Sequence, residues 1–178
     1  FQFNRGSWNP ADSNLGLELD ITAMATTEEN LWVGTRSGLA RFVDGRLEKI
    51  ETRTGLDNAE IRVLKAEGDS LWVGTFRQGL FVVKGNENWW KVNPVGEGRG
   101  LGGKKIRALI RDGEGRLWVG TSGKGLFRQE AGRFLFAPYT IEGQNYNPFI
   151  TAGTKVSDTE LWFGSWGGRS EERRVGKE

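Results

Sequence analysis

The sequence predicts an all-β chain: an open arc of about four β-propeller blades, each a four-stranded antiparallel meander. Three observations carry this. The pentapeptide LWVGT occurs at Leu31–Thr35, Leu71–Thr75 and Leu117–Thr121, and LWFGS at Leu161–Ser165. Successive copies lie 40, 46 and 44 residues apart, the length of one four-stranded blade. Between the copies no window keeps a helical period, and short apolar runs alternate with turn residues.

Each unit reads in the same order. A Gly-Leu pair comes first, at Gly16-Leu17, Gly55-Leu56 and Gly100-Leu101. Strand A follows as ITAMA, IRVLKA and IRALIR, led by Ile21, Ile61 and Ile106, with Ile150 in the matching place of FITAGTKV. Acidic and glycine-containing turns (TTEEN, EGDS, DGEGR) lead into strand B, which is LWVGT itself. A short loop reaches a second Gly-Leu pair that opens strand C: GLARF, GLFVV and GLFRQ. The turns VDG, KGNEN and EAG then give strand D: RLEKIE, WWKV and RFLFA. Within LWVGT, side chains alternate across the strand, so Leu31 and Val33 share one face and Trp32 and Gly34 the other. Neither face is polar, so both must be covered, as they are when blades stack. The in-register residues Trp32, Trp72, Trp118 and Trp162 are therefore expected to pack between blades. Gly34, Gly74, Gly120 and Gly164 are expected to let the neighbouring sheet approach.

Residues 1–168 are expected to form the partial propeller, with blades at about 16–54, 55–99 and 100–143 and an incomplete one at 144–168. Residues 1–15 are read as the end of a preceding blade, with FQF as its last strand. The closing RSEERRVGKE, Arg169–Glu178, departs from the repeat. The codons AGA TCG GAA GAG CGT CGT GTA GGG AAA GAG encode it, and that string resembles a short-read sequencing adapter read in frame. It is expected to be a non-native tail.

Composition narrows the function. The chain has no Cys and no His, which removes disulfides, thiolate and histidine metal sites, and Ser-His-Asp or Cys-His catalysis. A net charge of +2 with no basic block gives nucleic-acid binding no support, and no direct membrane contact is expected. Acidic pairs such as Glu28-Glu29, Asp112 with Glu114, and Asp158 with Glu160 fall in A–B turns, away from the expected ligand face. GEGRGLGGKK at Gly96–Lys105 lacks the Lys-Ser/Thr spacing of a phosphate loop. No catalytic residue, metal or cofactor is expected.

In a meander the B–C and D–A connections share one rim, and there the repeats differ. The B–C loops contribute Arg36; Phe76, Arg77 and Gln78; Lys124; and Trp166. Arg36, Arg77 and Lys124 could form a cationic arc for an acidic or sulfated saccharide, with Phe76 and Trp166 as stacking faces. Solvated loop tips are the plainer reading. In strand D, Trp89 aligns with Leu47 and Phe134 as core, and Trp90 aligns with Glu48 and Leu135 as a possible ligand platform. Tyr139, Asn145 and Tyr146 in the longest D–A loop are further candidates.

The third unit, GLGGKKIRALIRDGEGRLWVGTSGKGLFRQEAGRF, resembles the two-component regulator propeller repeat. WD-type repeats would need Gly-His and Trp-Asp pairs, and an Asp-box would need its glycine one position before Gly115. The resemblance implies the ligand-sensing propeller region of a bacterial two-component regulator, periplasmic or extracellular and responding to glycan-derived ligands. Its implied partners are an oligosaccharide and the remaining blades and signalling domains of the same protein, which could include a histidine kinase. A secreted polysaccharide-active propeller enzyme and a scaffold for protein contacts are the alternatives.

Overall fold

The structure is a computed structural model. It describes residues 2–4, 7–9, 20–28, 30–44, 46–52, 55–86, 89–95, 98–138, 140–141, 144–145 and 149–166. The tail at 169–178 lies outside the described residues. Every described element is a strand.

A hairpin of β1 (Gln2–Asn4) and β2 (Ser7–Asn9) comes first. Phe3 is in the first arm of this hairpin, paired with Trp8. Three four-stranded sheets follow, each in sequence order. The first is β3 (Ile21–Thr26), β4 (Leu31–Thr35), β5 (Gly38–Val43) and β6 (Arg46–Lys49). The second is β7 (Ile61–Glu67), β8 (Ser70–Thr75), β9 (Leu80–Asn86) and β10 (Trp89–Val95). The third is β11 (Ile106–Arg111), β12 (Leu117–Thr121), β13 (Gly125–Glu130) and β14 (Arg133–Phe136). A two-rung hairpin, β15 (Thr140–Ile141) and β16 (Gln144–Asn145), leads to β17 (Phe149–Ser157) paired with β18 (Glu160–Trp166). All pairings are antiparallel, so each sheet is the meander the repeat predicts.

Successive sheets stack face to face, and the repeat explains how. Trp32 and Leu39 of the first sheet share a buried cluster with Ile61, Leu64, Leu71 and Val73 of the second. Trp72 and Leu80 of the second meet Ile106, Leu117, Val119 and Phe134 of the third. Trp118 and Leu126 of the third meet Ile150, Leu161 and Phe163 of the fourth. The Trp-Gly face of each strand B thus receives the Leu-Val face of the next sheet. The indole of Trp118 lies 6.1 Å from the ring of Phe163, which replaces the Val of the earlier copies. Gly34, Gly74 and Gly120 mark the closest approaches, whereas exposed Gly164 has only Thr151 of its own sheet nearby. A Cβ on Gly74 would lie 2.5 Å from Val63 Cγ1 and 2.6 Å from Ile106 Cγ2.

The arc is open. Ile61, Ile106 and Ile150 are buried, whereas their counterpart Ile21 is 50% exposed and Met24 of the same sheet 63%. At the other end Ala152, Thr154 and Gly164, on the Trp162 side of the fourth sheet, are exposed.

Two strand-level expectations change. Trp32 faces Arg41 and then Glu48 across the first sheet, and Trp118 faces Arg128 and then Leu135 across the third. In the second sheet Trp72 faces Val82 and then Asn93. Asn93 therefore stands where Glu48 and Leu135 stand, and buried Val92 takes the place of Leu47 and Phe134. Trp89 and Trp90 pair with Asn86 and Gly85, nearer the hairpin tip. The physical reason is the turn. Asp44 and Ala131 adopt φ of 48° and 44° and turn the chain at once, whereas β9 continues through Lys84 and Gly85. The second change concerns Trp166. It is not a loop residue but the last residue of β18, paired with Phe149.

Candidate ligand-binding rim

The last residue of each LWVGT copy builds the rim. The hydroxyls of Thr35, Thr75 and Thr121 donate to the carbonyls of Gly38, Gly79 and Gly125 at 2.9, 2.9 and 2.8 Å, closing the B–C turns. These threonines are buried. Gly79 holds φ of 98°, which favours glycine at the end of this turn. The D–A loops then lace onto the B–C turns. Phe76 N–H donates to Glu60 O at 2.8 Å, Gly79 N–H to Lys104 O at 3.1 Å, and Ser122 N–H to Lys105 O at 2.8 Å. The two sets of connections therefore share one rim.

Strand A supplies the rim with side chains that the loops alone do not reveal. Pairing slips by one residue between Ile61 and Val63, and again between Ile106 and Ala108. Arg62 and Arg107 are the extra residues, and a bulge re-aims such a side chain. In the first and fourth sheets the bulge residue is Thr22 or Thr151, whose hydroxyl donates to the Gly34 or Gly164 carbonyl at 3.1 or 3.2 Å. The signal was present in the repeat: the residue after the strand A isoleucine runs Thr, Arg, Arg, Thr.

Four cations converge on one ring at the junction of the second and third sheets. The charged groups of Arg62, Arg77, Lys105 and Arg107 lie 5.1, 5.4, 5.5 and 5.4 Å from the centroid of Phe76. Glu60 forms an ion pair with Arg62. Burial holds the Arg107 guanidinium below its ordinary pKa, and the Arg62 charge pushes in the same direction, while Glu60 opposes it. Phe76 is half-buried and engaged by cations, so a sugar ring would have to displace them to stack there. Beside this cluster a cleft of about 200 Å³ runs between Gln78, Leu80, Pro94, Leu101 and Lys104.

The remaining candidates are spread out. Arg36 pairs with Asp20 at 2.8 Å, both exposed, and Lys124 is exposed on the third B–C turn. Of the expected cationic arc, only Arg77 enters the cluster. Trp166 is 78% exposed opposite Phe149, itself 51% exposed, and the Phe149 ring lies against Gly123 of the third B–C turn. Phe149 was not singled out from the sequence, and its place just before the strand A isoleucine is the signal. The Trp90 backbone lies toward the C–D hairpin, on the rim opposite the B–C turns. Asn145 is in β16, and Tyr139 and Tyr146 lie outside the described residues.

On the opposite rim, acids hold the indoles in place. Trp72 Nε1–H donates to Glu67 at 2.9 Å, Trp118 to Asp112 at 2.8 Å, and Trp162 to Glu160 at 2.8 Å. Asp112 also accepts from the backbone N–H of Glu114 and Arg116 and from Arg116 Nε. Burial would raise its pKa, but hydrogen bonds from Trp118 and Arg116 outweigh burial and hold it below the usual carboxylate value. Glu67 is gripped by Arg111 of the next sheet at 2.8 and 2.7 Å. Among the described residues no group of acidic side chains is arranged to hold a metal ion, and no helix is long and apolar enough to cross a membrane.

Stacked four-stranded meanders joined through a repeated Trp-Gly face define a β-propeller. Residues 100–123 match the family model described as the two-component regulator propeller. The match falls on the third sheet, from the Gly100-Leu101 pair through its LWVGT copy. Among solved structures, the chain is similar to the extracellular domain of the hybrid two-component system BT4673 from B. thetaiotaomicron. Identity is 21% over 89% of this chain and 22% of that one, with a TM-score of 0.66. It is also similar to the corresponding domain of BT3049 from the same organism, at 23% identity over 76% of this chain and 19% of that one, with a TM-score of 0.63. The computationally designed Ika4 protein shares 15% identity over 90% of this chain and 94% of its own, with a TM-score of 0.61. The chain thus spans about a fifth of the length of the two-component neighbours. No curated protein gives a significant match.

Proposed function

We propose that the chain is part of the ligand-sensing propeller of a two-component regulator, acting in the periplasm or outside the cell and responding to a glycan-derived ligand. The carrying observation is the contrast between the two rims. One is occupied by carboxylates that fix the repeated indoles, while the other gathers the residues that differ between blades. The family of the repeat and the extracellular two-component neighbours support the sensing role. Ligand bound across neighbouring B–C turns would bias the packing of one blade on the next. Such a bias would pass to signalling domains of the same full-length protein. The engagement of Glu67, Asp112 and Glu160 by indoles favours sensing over glycoside hydrolysis, which needs a free carboxyl pair.

A glycan array probed with the chain tests this reading, followed by a transcriptional reporter in cells carrying the full-length regulator. Binding to a restricted set of oligosaccharides, with induction by the same set, is expected. An array without bound glycan, or binding without induction, would overturn the sensing role.

A further inference from the structure

We propose that Arg62, Arg77, Lys105 and Arg107, gathered on Phe76 where the second and third blades meet, form a receptor for an oxyanion, a carboxylate or sulfate group on the ligand. The inference gives the chemical class of the ligand, and it rests on the sensing reading only for that ligand being a saccharide.

The first support is charge balance. Several cations elsewhere have acidic partners at close range: Arg36 with Asp20, Arg111 with Glu67, Arg116 with Asp112 and Lys155 with Asp158. Around Phe76, Glu60 pairs with Arg62. Arg77, Lys105 and Arg107 have no carboxylate within ion-pair reach among the described residues. Like charges held this close repel, and the quadrupole of one phenyl ring compensates them only in part. An anion removes that repulsion and gains from every cation at once.

Donor geometry is the second support. A guanidinium fork suits the paired oxygens of a carboxylate or sulfate. Two such forks, Arg62 and Arg107, come from equivalent bulges on adjacent blades, so the spacing between them is set by blade stacking rather than by loop flexibility. Arg77 and Lys105 are exposed, leaving the cluster open to solvent on the rim. Phe76 is the apolar floor that keeps the four cations together.

The test is calorimetric titration of the chain with tetragalacturonate, with a chondroitin-sulfate disaccharide, and with neutral maltotetraose. At least one anionic probe should bind, with affinity falling as salt rises, and maltotetraose should not. Arg62→Gln/Arg107→Gln should weaken binding at least tenfold. Lys105→Met, at an exposed position, should weaken it severalfold, and Arg36→Gln should change it less than twofold. The carboxylate and sulfate arms distinguish the two oxyanion sources. The thermal midpoint of Arg107→Gln should hold or rise, because a repelling charge is removed; a purely structural cluster would give a lower midpoint. The proposal is overturned if neither anion binds, if the double and Lys105 variants bind like the native chain, or if maltotetraose binds equally well. Anion binding without induction by any saccharide would sink the sensing reading and leave the oxyanion receptor standing.

Discussion

Gly34→Ala puts the blade-stacking logic to its sharpest test. Gly34 has an ordinary strand conformation, so the added methyl meets no backbone strain and the cost is steric alone. Its Cβ would lie 2.5 Å from Ile61 Cγ2 and 2.9 Å from Ile61 Cβ. Comfortable carbon–carbon contact is about 3.5–4.0 Å, so Ile61 would have to retreat by about 1 Å. Ile61 is fully buried, and its carbonyl accepts a 2.6 Å hydrogen bond from Thr22 Oγ1, which ties the second sheet to the first. Retreat therefore strains the sheet junction, and overpacking of this kind costs about 1–3 kcal/mol. Ile61→Ala alone removes Cγ2 and leaves a cavity, at a cost of about 2–5 kcal/mol. In the double variant the new methyl occupies part of that cavity. The combined loss should fall short of the sum by about 1 kcal/mol or more; rescue is partial because Ile61 Cβ remains. Urea unfolding followed by far-ultraviolet circular dichroism measures all four chains of the cycle. Additive losses, or a neutral Gly34→Ala, would refute the claim that glycine sets the approach of the sheets.

Other outcomes follow from the same structure. Trp118→Ala should cost about 3–5 kcal/mol, whereas Trp162→Ala should cost markedly less, because Trp118 is 4% exposed and Trp162 lies half-buried on the open face; equal shifts in urea midpoint would contradict the open arc. Asp112 has its folded pKa below the unfolded one, so its contribution to stability is complete above the usual carboxylate range. That contribution is lost as pH falls through the folded value, and a pH series of urea midpoints should show a smaller acid loss in Asp112→Asn than in the native chain. Arg111→Met removes the partner of Glu67 between the second and third sheets. The expected loss is about 1–3 kcal/mol, and the effect should shrink in a Glu67→Gln background if the pair is the cause.

The blade repeat was legible because packing reuses the same solution. Leu, Trp, Val, Gly and Thr each recur for a distinct physical reason, and each reason survives in the structure: Trp118 on Phe163, Gly74 against Ile106, Thr121 closing its turn. Strand D of the second blade was misaligned because the hairpin turn, not the sequence spacing, sets register, and β9 runs past the point where the other blades turn. The candidate site was legible in half. Phe76 and Arg77 stand out as unlike residues in a repeated loop, but Arg62 and Arg107 are hidden inside strand A. Their relation to Phe76 depends on a bulge and on the stacking of two blades, neither of which has a signature in a single pentapeptide.

The division of charge between the rims has a structural cause. An indole buried between two sheets must place its N–H, and in three of the blades a carboxylate near the A–B turn accepts it. That requirement commits one rim to acids that are already engaged. The B–C rim carries no such obligation, since its turns are closed by threonine hydroxyls and backbone carbonyls. Side chains there are free to diverge without loosening the core. The bulge residue Thr22 bonds to Gly34 of its own sheet and to Ile61 of the next, whereas Arg at the same place reaches the rim. Changing that one residue per blade resets the charge of the rim while leaving LWVGT and its contacts intact. Thr22→Arg should accordingly add a cation beside the first B–C turn with little loss beyond the Thr22 hydrogen bonds to Gly34 and Ile61, about 1 kcal/mol. A collapse of the urea midpoint in that variant would show that the bulge position belongs to the core and not to the rim.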